Sequence, residues 1–107
     1  MLNLDLFLFK LFSLDNNCEL CNRNVELTFH HLIPKKNHKI GYIKKKYSHL
    51  DLNRYGINVC KDCHKMIHKL FSHKTLALEY YTKKRLLGHP KLNRFILWVK
   101  NQTKKVK

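Results

Sequence analysis

Two Cys-x-x-Cys pairs, Cys18-Glu-Leu-Cys21 and Cys60-Lys-Asp-Cys63, frame the 38 residues from Asn22 to Val59 of this 107-residue chain. Paired knuckles of this kind deliver four thiolates to one tetrahedral Zn²⁺. The competing reading is two disulfides in a secreted protein. The knuckle spacing argues against that, no secretory leader is expected from the first residues, and a cytoplasmic protein is the expectation. Zinc ribbons usually leave about 15–20 residues between their pairs. A gap of 38 residues leaves room for a further motif inside the staple.

A chain of this length builds one modest core, and a metal is a common supplement to so small a core. The whole chain, 1–107, is therefore expected to be a single domain, with its motif core at 18–70. No apolar run reaches the length of about 18 residues that a membrane span needs. With three glycines, both GxGxxG and GxxxxGK are missing, which excludes Rossmann and P-loop chemistry. Residues 1–14, MLNLDLFLFKLFSL, contain nine Leu or Phe. Their alternation fits a strand and their spacing equally fits a helix. Asp5 stands where a signal peptide needs a basic residue, and this segment is expected to dock on the core, the alternative being a membrane-surface anchor or secretion signal.

Inside the staple, Leu27-Thr28-Phe29-His30-His31-Leu32-Ile33-Pro34 is a β-branched and aromatic run ending at proline. Neighbouring side chains of a strand point to opposite faces, so His30 and His31 should have different roles. One can bind a metal while the other faces a substrate; equally, one can pack in the core while the other is solvated. The second knuckle runs into a helix predicted over about 62–71, with Met66, Ile67 and Leu70 on its buried side. His64 and His68 stand four residues apart on that helix, a metal-ligand spacing mounted on a zinc-fixed element.

The charge is +15, from 22 basic and 7 acidic side chains, and favours a polyanionic partner. Residues 35–46 hold Lys35, Lys36, Lys39, Lys44, Lys45 and Lys46 and no acid. Such a cluster neutralises phosphates. Tyr42 and Tyr47 lie within and beside it, where they can stack on bases or sugars. Residues 35–55 read as one long irregular, substrate-contacting loop. Residues 80–107 add nine Lys or Arg. Helical support is predicted over 72–103. Ser72 caps a helix over about 74–81, with Leu76, Leu78 and Tyr80 or Tyr81 partly buried. Gly88 ends a following turn, and Pro90 opens a last helix with a Leu92, Phe95, Ile96 and Val99 stripe. The run Lys104-Lys105-Val106-Lys107 reads as a solvated tail.

The order Cys-x2-Cys, His-His-x-x-Pro, Cys-x2-Cys-His-x3-His resembles the HNH endonuclease family over about residues 18–70. The resemblance implies an α+β fold, a zinc-stapled ββα-metal unit with additional C-terminal helices. It also implies metal-dependent hydrolysis of phosphodiester bonds in DNA, with RNA left open. By this resemblance His30, His64 and His68 hold one divalent catalytic metal, Mg²⁺, Mn²⁺, Ni²⁺ or Zn²⁺. His31 falls on the general base, and Cys18, Cys21, Cys60 and Cys63 fall on the structural zinc. The family's Asn usually lies five residues before the third cysteine. That position is Tyr55 here, with Asn53 and Asn58 on either side, and Asn58, nearer the knuckle, is the candidate for its role. The alternative is a catalytically inactive, zinc-stapled nucleic-acid-binding module.

Overall fold

The computed structural model describes residues 17–102. The expectations for residues 1–14 and for the Lys104–Lys107 run lie outside them. Among the described residues, none of the helices is long and apolar enough to cross a membrane.

The fold is a small α+β arrangement in which two antiparallel strands are followed by helices. Strand β1 is Leu27–His31 and strand β2 is Gly56–Cys60. Their register pairs Leu27 with Cys60, His30 with Ile57 and His31 with Gly56. Period-2 alternation then puts Thr28 and His30 on one face and Phe29 and His31 on the other. His30 is fully buried, whereas His31 is partly open.

Between the strands the chain is not irregular, contrary to the reading of 35–55 as a loop. Lys35–Asn37 form a 3-10 turn and Gly41–Lys46 form helix α1. Only Ile43 of α1 is buried, so six residues, half of them lysine, carry too little pattern to announce a helix. Ile43 anchors a second small core with Ile33, Tyr47 and Ala77. Tyr47 is thus a core residue and unavailable for base stacking, whereas Tyr42 is half exposed.

Helix α2, Lys61–Leu70, follows β2 without a linker. Cys60 acts as its N-cap, with its sulfur accepting the Cys63 N–H. The same thiol therefore ends a strand, starts a helix and serves the cysteine cluster. Asp62 adds an acid to the first turn, favourable to the helix dipole. Ile67 is fully buried, and Met66 and Leu70 are partly buried. Helix α3 is His73–Leu78, with Ser72 as its cap accepting from Thr75 N–H at 3.2 Å. It is shorter than expected, because the Tyr80 and Tyr81 backbone leaves the helix, and Leu78 is exposed rather than partly buried. Helix α4 is Lys83–Leu87, ended at Gly88. Helix α5, Pro90–Val99, has proline in its first turn. Leu92, Ile96 and Val99 are buried and Phe95 is partly so, as the stripe requires. Helix α5 packs on α2 and α4, and the main core runs from β2 through Ile67 to Leu76, Leu86 and the α5 stripe.

Gly56 is needed where β2 passes β1. A Cβ there would run into the His30 carbonyl and the Phe29 ring. Gly56→Ala is expected to cost about 1–3 kcal/mol through forced strand separation. Chemical denaturation measures the loss, and an unchanged midpoint would show that the strands already part freely.

Candidate metal centres

Two clusters of ligand-bearing side chains form around the hairpin. The first joins Cys18, Cys21, Cys60 and Cys63, all buried, with their sulfurs within 4.8 Å of one another. Cys21 Sγ and Cys60 Sγ are 3.8 Å apart, and all four thiols are free. A Zn–S bond of about 2.3 Å gives a tetrahedral S–S edge of about 3.8 Å, so the separation suits one zinc.

The first knuckle is a tight turn. The N–H groups of Leu20 and Cys21 donate to Cys18 Sγ at 3.4 Å. Asn22 closes the turn with φ of 65°, a left-handed conformation that Asn tolerates better than most residues. Its N–H donates to the Cys18 carbonyl at 2.8 Å. Glu19 ties the turn to β2, accepting the Asn58 N–H on its carboxylate (2.7 Å) and donating its own N–H to the Asn58 carbonyl (2.9 Å).

The sulfurs are electrostatically linked. Hydrogen bonds with the Cys60 and Cys63 thiols pull the Cys18 thiol down to about 3. The same kind of bonds, to Cys18 and Cys60, push the Cys63 thiol up, and burial adds to this. One sulfur ionises readily and its charge opposes the next. A dication removes that opposition, and thiolates are the form that zinc binds. The donor set and its spacing therefore fit a structural Zn²⁺. Arg23 supports the cluster from outside, donating from Nη2 to Cys60 Sγ (3.3 Å) and to the Asp62 carboxylate (2.8 Å). Its Nη1 donates to the Gln102 carbonyl at 3.2 Å, which ties the end of α5 to the staple. Sequence reasoning missed Arg23, since one arginine in a basic chain carries no signal of burial.

The second cluster joins His30 of β1 to His64 and His68 of α2, with one ring nitrogen from each within 4.8 Å of the others. The ring centroids are 5.0 to 5.4 Å apart. Strand and helix supply this geometry together. His30 is on the strand face that meets α2, and the i, i+4 pair stacks along the helix. Among the described residues, neither ring nitrogen of the fully buried His30 has a hydrogen-bond partner. Leaving such a group unsatisfied costs about 1–3 kcal/mol, which a metal–nitrogen bond would offset. Burial, then repulsion from His64, His68 and His31, pushes the His30 imidazolium pKa down to about 3. Burial and neighbouring histidines lower His64 and His68 as well. The three rings are thus neutral donors at neutral pH, and the set fits a divalent cation.

Thr28 orients one of them. A carbonyl can only accept, so the Thr28 hydroxyl donates to the Val59 carbonyl at 3.2 Å. Its oxygen is then left to accept Nδ1–H of His64 at 2.7 Å, which frees Nε2 of His64 for a metal. Thr28 stands two residues before His30 on the same strand face, and that period-2 relation was a usable signal. Thr28→Val is expected to weaken divalent-metal binding at the triad about 10- to 100-fold while zinc stays on the cysteines. Competition against a fluorescent chelator reads the affinity; an unchanged value would remove Thr28 from this role.

The remaining expected site residues are spread around the triad. His31 lies across the strand from His30, with its ring edge-on to Phe29 (centroids 4.9 Å) and 5.9 Å from His38. Burial, then His38 and Lys35, lowers its pKa. His38 is fixed by donating Nε2–H to the Ile33 carbonyl at 2.7 Å. Asn58 is exposed on β2 opposite Phe29, and its backbone serves the first knuckle. Tyr55 accepts the Leu32 N–H on its carbonyl (3.1 Å) and donates its hydroxyl to the Tyr81 carbonyl (2.7 Å). Lys35, Lys36, Lys39, Lys44, Lys45 and Lys46 are all exposed along the 3-10 turn and α1. Lys46 rests over the Tyr47 and Tyr81 rings at about 5.5 Å.

The chain is similar to YisB of Bacillus subtilis (strain 168), an uncharacterized protein. The two are 36% identical over 86 residues, which cover 79% of this chain and 74% of YisB. No family model matches the chain, and no solved structure matches it.

Proposed function

We propose that this chain, which belongs to the same protein family as YisB, is an HNH-type, metal-dependent endonuclease that hydrolyses phosphodiester bonds in DNA. The observation that carries the reading is the His30–His64–His68 triad, with both ring nitrogens of a buried histidine unpartnered among the described residues, mounted directly on a four-cysteine staple. His30, His64 and His68 would hold one divalent cation, whose charge would polarise a phosphoryl group and offset charge on the departing oxygen. Three imidazoles suit Mn²⁺, Ni²⁺ or Zn²⁺ by affinity, whereas Mg²⁺ would lean on the oxygens of the substrate.

His31 acts as the base. It accepts a proton from the water that attacks phosphorus, and the opposite P–O bond breaks. The division of labour follows from the strand, because a base must keep its lone pair off the metal. Adjacent residues of β1 face opposite ways, so His30 turns inward and His31 outward. Tyr55 secures the backbone immediately after His31 through Leu32, and its own hydroxyl is anchored on Tyr81. This is the position the HNH family gives to asparagine, and the backbone tie supports a holding role for Tyr55 that Asn58 is less well placed to fill. The six lysines of 35–46 contact the phosphates of the duplex.

The second reading is a zinc-stapled nucleic-acid-binding module without catalysis. It draws on the same tyrosine, since Tyr55 supplies no side-chain amide. Nicking of supercoiled plasmid by the zinc-loaded protein, with Mg²⁺, Mn²⁺, Ni²⁺ or Zn²⁺ added in turn, separates the two. Metal-dependent nicking is the expected result. Plasmid binding without nicking under every metal would leave the module.

A further inference from the structure

Helix α5 buries Leu92, Ile96 and Val99 and leaves an apolar surface on its outer side. Leu97 and Trp98 are 55% and 50% exposed, and the Phe95 ring lies 5.8 Å from that of Trp98 between centroids. The other large exposed apolar side chains are spread over β1, the start of α1 and the end of α3. Scattered single residues of that kind need no partner, whereas adjacent ones mark a contact surface.

The chain enters the described fold beside this surface. Asn17 pairs with Asn24 in an antiparallel bridge, and the Cys18 N–H donates to the Arg23 carbonyl at 2.9 Å. Arg23 reaches across to the Gln102 carbonyl at 3.2 Å. Gln102 stands one helical turn after Trp98 and donates Nε2–H to its carbonyl at 3.5 Å. The segment that precedes Asn17 is the most apolar stretch of the sequence, with nine Leu or Phe in residues 1–14. Fourteen residues span at least about 20 Å in any regular conformation, several times the single turn from Gln102 to Trp98.

Charge favours the same occupant. Lys91, Arg94 and Lys100 are exposed on α5, and that helix has no acidic residue. A second copy docking through the same face would set these cations against their own equivalents. Residues 1–14 carry one acid, Asp5, and one base, Lys10, so they bring no such repulsion. Their tether also gives them a high effective concentration at the face, which a second molecule lacks.

We infer that residues 1–14 of this chain are the partner of the exposed face of α5, covering Leu97 and Trp98 within the same molecule. Trp98 is the one tryptophan of the sequence, so its fluorescence reports the contact directly. The full-length, zinc-loaded wild type should show blue-shifted emission and weak acrylamide quenching, both independent of protein concentration. Leu4 and Leu8 belong to the strand-like and to the helix-like apolar pattern alike, so Leu4→Asp/Leu8→Asp disrupts either. An unpaired carboxylate resists burial, so this variant should show red-shifted emission and about twofold stronger quenching while keeping its zinc. Leu78→Asp, the same change at an exposed apolar site on α3, should leave Trp98 as in the wild type. Water-exposed emission with strong quenching in the wild type would overturn the inference without recourse to any variant. So would emission that is blue-shifted equally in the wild type and in Leu4→Asp/Leu8→Asp. A blue shift that appears only at rising protein concentration, with phosphatidylglycerol vesicles or with duplex DNA would overturn it too, and would give the face to a second copy, a membrane surface or nucleic acid.

Discussion

Cys63→Ser leaves a chain that neither retains zinc on its staple nor melts cooperatively. Cys63 is fully buried in the first turn of α2, and its sulfur belongs to a set whose members all lie within 4.8 Å. Structural zinc contributes an apparent binding free energy of about 10–16 kcal/mol in zinc-finger peptides, and that energy is folding energy. Domains of this size have a net stability of about 5–15 kcal/mol, so losing one thiolate removes most or all of it. The position aggravates the loss. Cys60 caps α2 and ends β2, so a released staple frees a strand end and a helix start together. The first knuckle, the Arg23 contacts and the tie from Arg23 to Gln102 depend on the same centre. Zinc content by atomic absorption and far-UV circular dichroism during heating are the measurements. His68→Ala is the contrasting variant. His68 is exposed, so this protein should melt near the wild type and keep its cysteine-bound zinc. If Cys63→Ser melted within a few degrees of the wild type, the thiols would be packing groups and nothing more.

What the sequence disclosed follows the reach of each interaction. Zinc chemistry dictates ligand spacing within a turn, so both Cys-x-x-Cys pairs could be read directly. The helical period did the same for His64 and His68, and strand alternation separated His30 from His31. Caps are local too, which is why Ser72, Gly88 and Pro90 marked their helix ends. The features that stayed hidden are those decided by residues distant in sequence. Tyr47 reads as a surface aromatic among lysines, but Ala77, thirty residues on, closes the second core over it. Arg23 becomes a buried partner of Cys60 and Asp62 only when the knuckles meet. Asn37 sits in a lysine run that looks wholly solvated, and its burial is created by α3 packing on the turn. Helix α1 is a different case: the signal was local but six residues long, below the length at which a period can be seen.

His31→Ala should lower the rate of plasmid nicking by about 10²- to 10⁴-fold, the usual contribution of a positioned general base. It should do so without disturbing either metal cluster. His31 is not part of the triad, and its side chain leaves β1 on the face opposite His30. It is only partly buried, so truncation opens no core cavity, and the melting temperature should hold. These features separate it from His30→Ala. That variant removes a fully buried ring and a triad nitrogen together, and lost activity there reports metal binding and packing as much as chemistry. The informative comparison therefore measures three quantities on the His31 variant: nicking rate, divalent-metal affinity and duplex affinity. A fall in the first with the other two unchanged assigns the proton transfer to this side chain. Added imidazole should restore part of the rate, since a free base can reach a partly open position, whereas it cannot rebuild a missing ligand in the buried triad. Nicking at the wild-type rate would remove His31 from the mechanism. The base would then have to come from another group near the triad, and His73, whose ring lies 5.7 Å from that of His68 between centroids, would be the next to replace.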